Sequence, residues 1–318
     1  MYFMKKVLIL GAKGMLGQEL VRVHEEEKKY EVVAWDREEI NVMNFEELRN
    51  RINDMWPDII YNAIAYNAVD ACEESEEEYQ KAKKLNGLYP GELAKIARKL
   101  DAVLVHYSTD YVFDGTRPQY PIGKNPGCCG NGCRGCMYKG PEENLSYFAY
   151  HENDIPRPLS RYGRTKLQGE EEVAKHMSNY YIIRLSKLFG KPAQSDLGKK
   201  SFFDMMRELG EKNTEVKAID GETSKFTYAP DLARVSKEIV ENEKENGIYH
   251  VANDGAATWY DGVVELYKIL GITTKVVPVP PETFPRAAER PSSSVLKVTK
   301  IKNLRHYTEA LAEYIQEN

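Results

Sequence analysis

A short apolar run followed at once by three evenly spaced glycines constrains the start of the chain most strongly. The run covers residues 6–10, the glycines are Gly11, Gly14 and Gly17, and residues 18–23 continue with a helical pattern. An uninterrupted apolar run of this length indicates a strand buried on both faces. Glycines between such a strand and a helix let the backbone approach a pyrophosphate, which the helix N-terminus attracts. The segment therefore favours nucleotide binding over a simple tight turn.

Further strand and helix patterns alternate after this segment. Strands are predicted at residues 31–35, 57–65 and 102–107, and a long helical pattern runs through residues 93–98. Such alternation indicates an α/β fold, a doubly wound parallel (Rossmann) sheet whose ligands bind at the carboxyl ends of the strands.

Two charged residues follow the second predicted strand. Asp36 lies about 20 residues past the glycines, where a carboxylate would accept a hydrogen bond from a ribose 2′-hydroxyl and favour NADH. Arg37 is its neighbour and could hold a 2′-phosphate, so NADPH stays open. The third strand ends in small residues, Ala63 and Ala65, which would let a flat cofactor lie against the sheet edge.

Side chains suited to carbonyl chemistry lie further along the chain. Ser108 and Thr109 follow the fourth strand, where they can donate to a substrate oxygen or, alternatively, cap a turn. Tyr162 and Lys166 are four residues apart in a helical pattern and so lie on one face. A nearby ammonium lowers the pKa of a phenol and suits it to proton exchange with a carbonyl or an alcohol. The same spacing also occurs by chance in ordinary amphipathic helices.

Four motifs, with weaker similarity over nearly the whole chain, resemble the extended short-chain dehydrogenase/reductases, and within them the dTDP-4-dehydrorhamnose reductase group. They are Gly11 to Gly17, Asn62-Ala63-Ile64-Ala65-Tyr66, His106-Tyr107-Ser108-Thr109-Asp110-Tyr111-Val112-Phe113-Asp114-Gly115 and Tyr162-Gly163-Arg164-Thr165-Lys166. The resemblance implies reduction of the C4 keto group of a nucleotide-linked 6-deoxy-hexose by NADPH or NADH.

The resemblance also implies roles for individual residues. Tyr162 would supply the proton, Lys166 would hold the nicotinamide ribose and lower the tyrosine pKa, and Thr109 would bind the reacting oxygen. The implied cofactor-binding residues are Gly11, Gly14, Met15, Leu16, Gly17, Asp36, Arg37, Ala63, Ala65, Tyr66, Tyr162 and Lys166. The implied substrate-binding residues are Ser108, Thr109, Asp110, Val112, Phe113, Trp259 and Arg290. Arg290 would contact the diphosphate or, alternatively, form a surface ion pair, and Trp259 would be a sugar-facing wall or a core residue.

Two segments depart from the pattern of this group. Lys187 stands where its members usually have a tryptophan beside the sugar, and residues 221–226 lack the usual Asp-Gln and Pro. A related keto-sugar nucleotide is therefore an alternative substrate. A non-catalytic, nucleotide-binding regulatory subunit of the same fold is a second alternative, against which the intact Thr109, Tyr162 and Lys166 argue.

A cysteine-rich insertion lies between Phe113 and Tyr162, where the family has a short acidic loop. It adds on the order of 25 residues, an uncommon length for a loop in a compact domain, and carries Cys128, Cys129, Cys133 and Cys136. Thiolates at this spacing can converge on zinc or an iron–sulfur cluster, whereas disulfides are disfavoured in a reducing cytosol. The insertion therefore predicts a metal-bearing loop on a keto-sugar nucleotide reductase.

Composition and length set the remaining expectations. The net charge is −5 with interleaved signs, and no apolar run has the length of a membrane span, so neither a nucleic-acid partner nor a membrane is expected. We expect a cytoplasmic enzyme with a dTDP-sugar substrate, and a homodimer is among the expectations. Residues 1–190 form the predicted dinucleotide-binding domain, with the insertion at about 117–152. Residues 191–318 form mainly a smaller, mixed substrate domain, with 228–251 returning to the first domain.

Overall fold

The computed structural model describes residues 4–118, 147–194 and 200–317 of the chain. The strands are β1 (Lys5–Leu10), β2 (Tyr30–Trp35), β3 (Ile59–Asn62), β4 (Val103–Thr109), β5 (Tyr180–Leu185), β6 (Leu188–Phe189), β7 (Glu215–Ile219), β8 (Ser224–Lys225), β9 (Thr227–Tyr228), β10 (Gly247–His250), β11 (Ala256–Ala257) and β12 (Lys275–Val279). The α-helices are α1 (Met15–Glu25), α2 (Phe45–Met55), α3 (Ala71–Glu74), α4 (Glu76–Ala82), α5 (Tyr89–Leu100), α6 (Arg161–His176), α7 (Phe202–Lys212), α8 (Ala229–Glu241), α9 (Trp259–Leu270) and α10 (Tyr307–Glu317).

A parallel sheet of six strands forms the larger part of the fold. Its strands have the order β2-β1-β3-β4-β5-β10, and each neighbouring pair is parallel. In β1, Val7 and Ile9 pack on one face of the sheet and Leu8 and Leu10 on the other. Successive side chains of a strand point to opposite faces, so a strand covered on both sides is apolar throughout. The predicted α/β fold with a doubly wound parallel sheet is confirmed.

Helices cover both faces of this sheet. One face packs against α1 and α8 through residues such as Leu20 and Leu232. The other packs against α2, α5 and α6 through residues such as Leu48, Leu93 and Val173. These helices form the two outer layers of a three-layer α/β/α fold and pack on the sheet through their apolar stripes.

The smaller, C-terminal region has short strand pairs and an aromatic core. The pairs are β6 with β9, β7 with β12, and β8 with β11. Phe189, Phe203, Phe226 and Tyr314 share a core with residues of α7, α9 and α10. Interlocking rings of this kind bury a large apolar area within a small region.

Helix α8 and strand β10, which lie within residues 228–251, contact the larger part of the fold. Helix α8 packs against α1, and β10 extends the sheet in parallel beside β5. The predicted division of the chain into domains near residue 190, with residues 228–251 returning to the first domain, stays a proposal.

The remaining expectations concern a membrane span and a metal site. In the three described stretches, no helix combines the length and hydropathy needed to cross a membrane. The four cysteines predicted to hold a metal, Cys128, Cys129, Cys133 and Cys136, lie outside the described residues. Among the residues that the structure does describe, no three or more His, Cys, Asp or Glu side chains are grouped to hold a metal ion.

Candidate active site

A large cleft opens at the carboxyl ends of the parallel strands, where ligands of such sheets bind. Its volume is about 1720 Å³, well above the roughly 300–1,000 Å³ of a typical small-molecule site. Gly11, Gly14, Asp36 and Arg37 line one part of it, here called the glycine-loop end. Lys187, Glu222 and Trp259 line another part, here called the Trp259 end. The volume is sufficient for a dinucleotide together with a second ligand.

The loop after β1 brings backbone rather than side chains to the cleft. Gly11 has a φ of +80°, a left-handed conformation that glycine adopts without strain. A Cβ atom on Gly17 would lie 1.9 Å from the carbonyl oxygen of Gly11, so α1 packs directly on the loop. Helix α1 begins at Met15 after Gly14, which has no side chain to cap it. The first-turn N–H groups, whose residues Met15 and Leu16 line the cleft, suit an anionic ligand such as a pyrophosphate.

Asp36 is anchored to this loop. Its carboxylate accepts hydrogen bonds from the backbone N–H groups of Lys13 and Arg37, both at 2.9 Å. Asp36 and Arg37 both line the cleft, so an acceptor for a ribose hydroxyl and a cation for a phosphate lie side by side. Three further predicted cofactor-binding residues line the same cleft beyond β3, namely Ala63, Ala65 and Tyr66. The residues present therefore fit a nicotinamide dinucleotide.

Asn86 holds the segment after β3 in place, and the sequence reasoning missed it. Its side-chain oxygen accepts from the Tyr66 N–H at 2.8 Å, and its amide donates to the Tyr66 carbonyl at 3.0 Å and to the Thr165 hydroxyl at 3.1 Å. Asn86 lies in a π-helical turn, Lys83–Leu88, between α4 and α5. Such turns are rare and concentrate at functional sites. The only sequence signal for this turn is the Asn86-Gly87 pair within a helical pattern.

Tyr162 and Lys166 lie on α6 and are both buried. The helix starts at Arg161 because the Ser160 hydroxyl accepts a hydrogen bond from the Gly163 N–H at 3.1 Å. The Lys166 ammonium donates to the carbonyl oxygen of Tyr107 in β4 at 2.6 Å. Both residues line the cleft, so the structure brings this predicted pair together at the end of β4.

Burial dominates the electrostatic environment of this pair. The pKa of Tyr162 is raised, chiefly by burial and additionally by the Asp110 carboxylate and Tyr111, while the Thr109 hydroxyl opposes the rise. Burial lowers the pKa of Lys166 to about 8, against the attraction of Glu170. The expectation that Lys166 lowers the tyrosine pKa stays a prediction, and desolvation of the phenolate is the largest influence on that pKa here.

The three residues after β4 have different surroundings. Thr109 lines the cleft, and its hydroxyl donates to an Asp110 carboxylate oxygen at 3.1 Å. Asp110 also accepts from the Ser294 hydroxyl at 2.6 Å, and burial raises its pKa to about 6. Ser108 lines the cleft as well, but its hydroxyl donates inward to the buried Glu170. Thr109 and Asp110 are therefore better placed than Ser108 to contact a substrate oxygen.

Of the remaining predicted substrate-binding residues, one lines the cleft and three do not. Trp259 lines the cleft, and its indole N–H donates to Glu222 at 3.3 Å. Val112 and Phe113 are fully buried in a separate core and do not line the cleft. Arg290 does not line it either, because its guanidinium makes a bidentate ion pair with Asp70, both bonds at 2.6 Å. Contact of a substrate with Val112, Phe113 or Arg290 stays a prediction.

Several residues that line the cleft were not among the predicted site residues. Glu222, Ser294 and Lys187 converge on the cleft from positions far apart in the chain. Glu222 forms an ion pair with Arg286. Lys187 lies over the ring of Trp259, with its ammonium 4.6 Å from the ring centroid. Spacing along the chain does not indicate such a convergence, although the departure of Lys187 from the family pattern pointed to this position.

Comparison with known families covers almost the entire chain. The family model described as RmlD substrate binding domain matches residues 4–318. Among characterised proteins, the spore coat polysaccharide biosynthesis protein SpsK of Bacillus subtilis is 31% identical over 318 residues, which are 99% of this chain and 98% of that protein.

Solved structures agree with this result. A dTDP-4-dehydrorhamnose reductase from Clostridium acetobutylicum superposes with a TM-score of 0.82 at 33% identity, over 98% of this chain and 99% of that one. A dTDP-4-dehydrorhamnose reductase from Bacillus anthracis, solved in complex with NADP, has a TM-score of 0.82 at 26% identity, over 99% of both chains.

Proposed function

The chain belongs to the RmlD substrate binding domain family, and on this basis we propose that it reduces the C4 keto group of a dTDP-linked 6-deoxy-hexose with NADPH or NADH. It would thus be a short-chain dehydrogenase/reductase resembling dTDP-4-dehydrorhamnose reductase. The observation that carries the proposal is one cleft lined by the glycine loop, Asp36, Thr109, Tyr162 and Lys166. Relatives with that activity, including one solved with NADP, support it.

The dinucleotide, when bound, supplies the hydride for the reduction. The glycine loop and the start of α1 would hold its pyrophosphate, and Asp36 or Arg37 would contact the adenosine ribose. Lys166 is well placed to hold the nicotinamide ribose because its ammonium lies at the end of β4 beside Tyr107. The pKa of Lys166, lowered by burial to about 8, leaves the side chain mostly charged at neutral pH.

Tyr162 is the proposed proton donor. The carbonyl oxygen gains negative charge as hydride arrives, and a donor placed there stabilises the transition state. Burial raises the pKa of Tyr162, so the phenol holds its proton at neutral pH and can give it to that oxygen. The Thr109 hydroxyl, which hydrogen-bonds within the same cleft, would orient the oxygen beside Tyr162.

The test is consumption of NADPH and NADH by the purified protein with a dTDP-4-keto-6-deoxy-hexose. We expect turnover, and we expect Tyr162→Phe to lower kcat by roughly 10²–10⁴, the contribution of general acid catalysis. NADPH binding by the variant, followed through nicotinamide fluorescence, should persist, because the phenyl ring still fills the site. Binding of both ligands by the wild-type protein without turnover would support the regulatory-subunit alternative instead.

A related keto-sugar nucleotide is the second candidate substrate. Lys187 supports it, because an ammonium lines the Trp259 end where the family pattern has a tryptophan. Turnover of such a sugar at a kcat/KM above that of the dTDP-4-keto-6-deoxy-hexose would establish it. The choice of dinucleotide is tested in the same assay by Arg37→Ala, which should weaken NADPH and spare NADH if Arg37 holds the 2′-phosphate.

Three further parts of the proposal do not depend on the cleft. They are a homodimer, a cytoplasmic location, and a zinc ion or iron–sulfur cluster bound by Cys128, Cys129, Cys133 and Cys136. Light scattering tests the first and cell fractionation the second. Metal analysis of protein purified without oxygen tests the third, and absence of both zinc and iron would remove it.

A further inference from the structure

Lys187 occupies an unusual backbone position beside the cleft. It follows β5 and has a φ of +38°, in the left-handed region that non-glycine residues rarely adopt. Its neighbours fix this conformation: the Ser186 hydroxyl donates to the Lys225 carbonyl at 2.6 Å, and the Thr227 hydroxyl donates to the Ser186 carbonyl at 2.7 Å. Backbone conformations of this kind concentrate at ligand sites, where the surrounding structure holds them. The position of the side chain is therefore set by the fold.

The ammonium of Lys187 is held in an aromatic and polar environment. It lies 4.6 Å from the ring centroid of Trp259 and 5.1 Å from that of Phe226. It donates to the carbonyl oxygens of Ala257 at 2.9 Å and Glu222 at 3.2 Å. An ammonium has three donors, so these two carbonyls leave one N–H for a ligand in the cleft. A donor with so little freedom is suited to recognition, because little rotamer entropy is lost on binding.

An acceptor lines the same part of the cleft. The Asp110 carboxylate is buried there next to Thr109. Burial lowers the pKa of Lys187 to about 7, and the charge of Asp110 opposes this and favours the ammonium form. The Lys187 ammonium thus offers a donor and the Asp110 carboxylate an acceptor to a ligand in the same cleft. A sugar hydroxyl both donates and accepts, so it matches this combination.

We infer that Lys187 determines the sugar specificity of the cleft by donating a hydrogen bond to a ring hydroxyl of the hexose. This inference rests on the proposed function. A tryptophan at this position would offer a flat wall with one donor, whereas the lysine adds a charged donor fixed above Trp259. A site built to bind a hydroxyl rejects a sugar that lacks it, because its buried polar groups are then left unpaired.

The test compares dTDP-4-keto-6-deoxy-hexose with its 2-deoxy and 3-deoxy counterparts. For the wild-type protein we expect kcat/KM to fall at least about tenfold with one of the two deoxy sugars, as for loss of a charged hydrogen bond. Lys187→Met keeps the length of the side chain and should erase that ratio, mainly by weakening the hydroxylated sugar. Lys212→Met is the matched control, since Lys212 is exposed on α7, and it should keep the wild-type ratio.

The outcomes separate the inference from the proposed function. If the wild-type protein reduces none of the three sugars, the proposed function fails. If it reduces them with equal kcat/KM, or if Lys187→Met keeps the wild-type ratio, the inference is overturned while the proposed function stands. Equal kcat/KM of the wild-type protein for all three sugars overturns the inference even where Lys187→Met does not fold. A purely structural role of Lys187 would lower activity with all three sugars by a common factor.

Discussion

At the glycine-loop end of the cleft, Gly11, Gly14 and Met15 come from one short stretch and present mainly backbone. At the Trp259 end, Lys187, Glu222 and Trp259 come from distant segments and present charged and aromatic side chains. Under the proposed function, the first end would hold the phosphates and ribose of a dinucleotide, whose chemistry is the same in many enzymes. The second end would hold the sugar nucleotide, which differs between enzymes, so its specificity would depend on individual side chains.

The two ends should therefore tolerate different kinds of substitution. A backbone contact does not depend on the type of side chain, so no substitution can replace it. A side-chain atom that displaces the backbone of the glycine loop should therefore impair ligand binding at that end. Side-chain contacts can be exchanged one at a time, so the Trp259 end should change its preference without losing its fold. We expect Gly17→Ala, Asn86→Ala and Asp70→Asn to have successively smaller effects.

Gly17→Ala should damage the glycine-loop end most. The new methyl carbon would lie 1.9 Å from the Gly11 carbonyl oxygen and 2.8 Å from the Ala12 Cα, both of them backbone atoms. Relief requires α1 to move off the loop, at about 3 kcal/mol, the upper end of the usual cost of overpacking. We expect dinucleotide affinity to fall roughly 100-fold, while dTDP affinity stays within about threefold. Calorimetric titration measures both, and an equal loss of the two affinities would contradict the contrast.

Asn86→Ala should have an intermediate effect, because it removes the side chain that joins the cofactor-facing segment to α6. The backbone N–H and carbonyl of Tyr66 and the hydroxyl of Thr165 would each lose a partner. An unpaired buried polar group costs about 1–3 kcal/mol, so the KM for the dinucleotide should rise roughly tenfold. Asn50→Ala, at an exposed site on α2, is the control. An unchanged KM would show that Asn86 has no positioning role.

The sequence was sufficient for the glycine-loop end because its signals are local. The apolar run of β1, the glycines and Asp36 lie within one β-α-β unit, so periodicity and spacing predict the fold there and several residues that line the cleft. Tyr162 and Lys166 were also predicted together, since helical spacing fixes their common face.

The surroundings of the other predicted site residues were not predictable in the same way. Whether Arg290 faces a diphosphate or Asp70 depends on how two segments 220 residues apart meet, and no local pattern carries that information. Phe113 belongs to a motif at the cleft, yet its ring stacks on Tyr150 inside a core. The raised pKa of Tyr162 likewise follows from burial, which a sequence shows only indirectly.

The smallest expected effect concerns the ion pair that joins the two parts of the chain near the cleft. Arg290 and the Ala288 N–H hold the pKa of Asp70 down, at about 2. A carboxylate with a lowered folded pKa stabilises the protein above its unfolded pKa, near 4, and loses that contribution as the pH falls through the folded value. Asp70 is more than a third exposed, so solvent screening limits the contribution to about 1 kcal/mol at neutral pH.

Asp70→Asn should therefore lower the free energy of unfolding by about 1 kcal/mol at pH 7 and by progressively less as the pH falls below about 4. Urea unfolding followed by circular dichroism measures this, with Asp54→Asn on the exposed side of α2 as the control. The substitution leaves the lining of the glycine-loop end intact, so dinucleotide affinity should not change. A stability difference that is equal at pH 7 and pH 3 would mean that the Asp70 charge contributes nothing. The contacts joining the two parts of the chain would then act through packing alone.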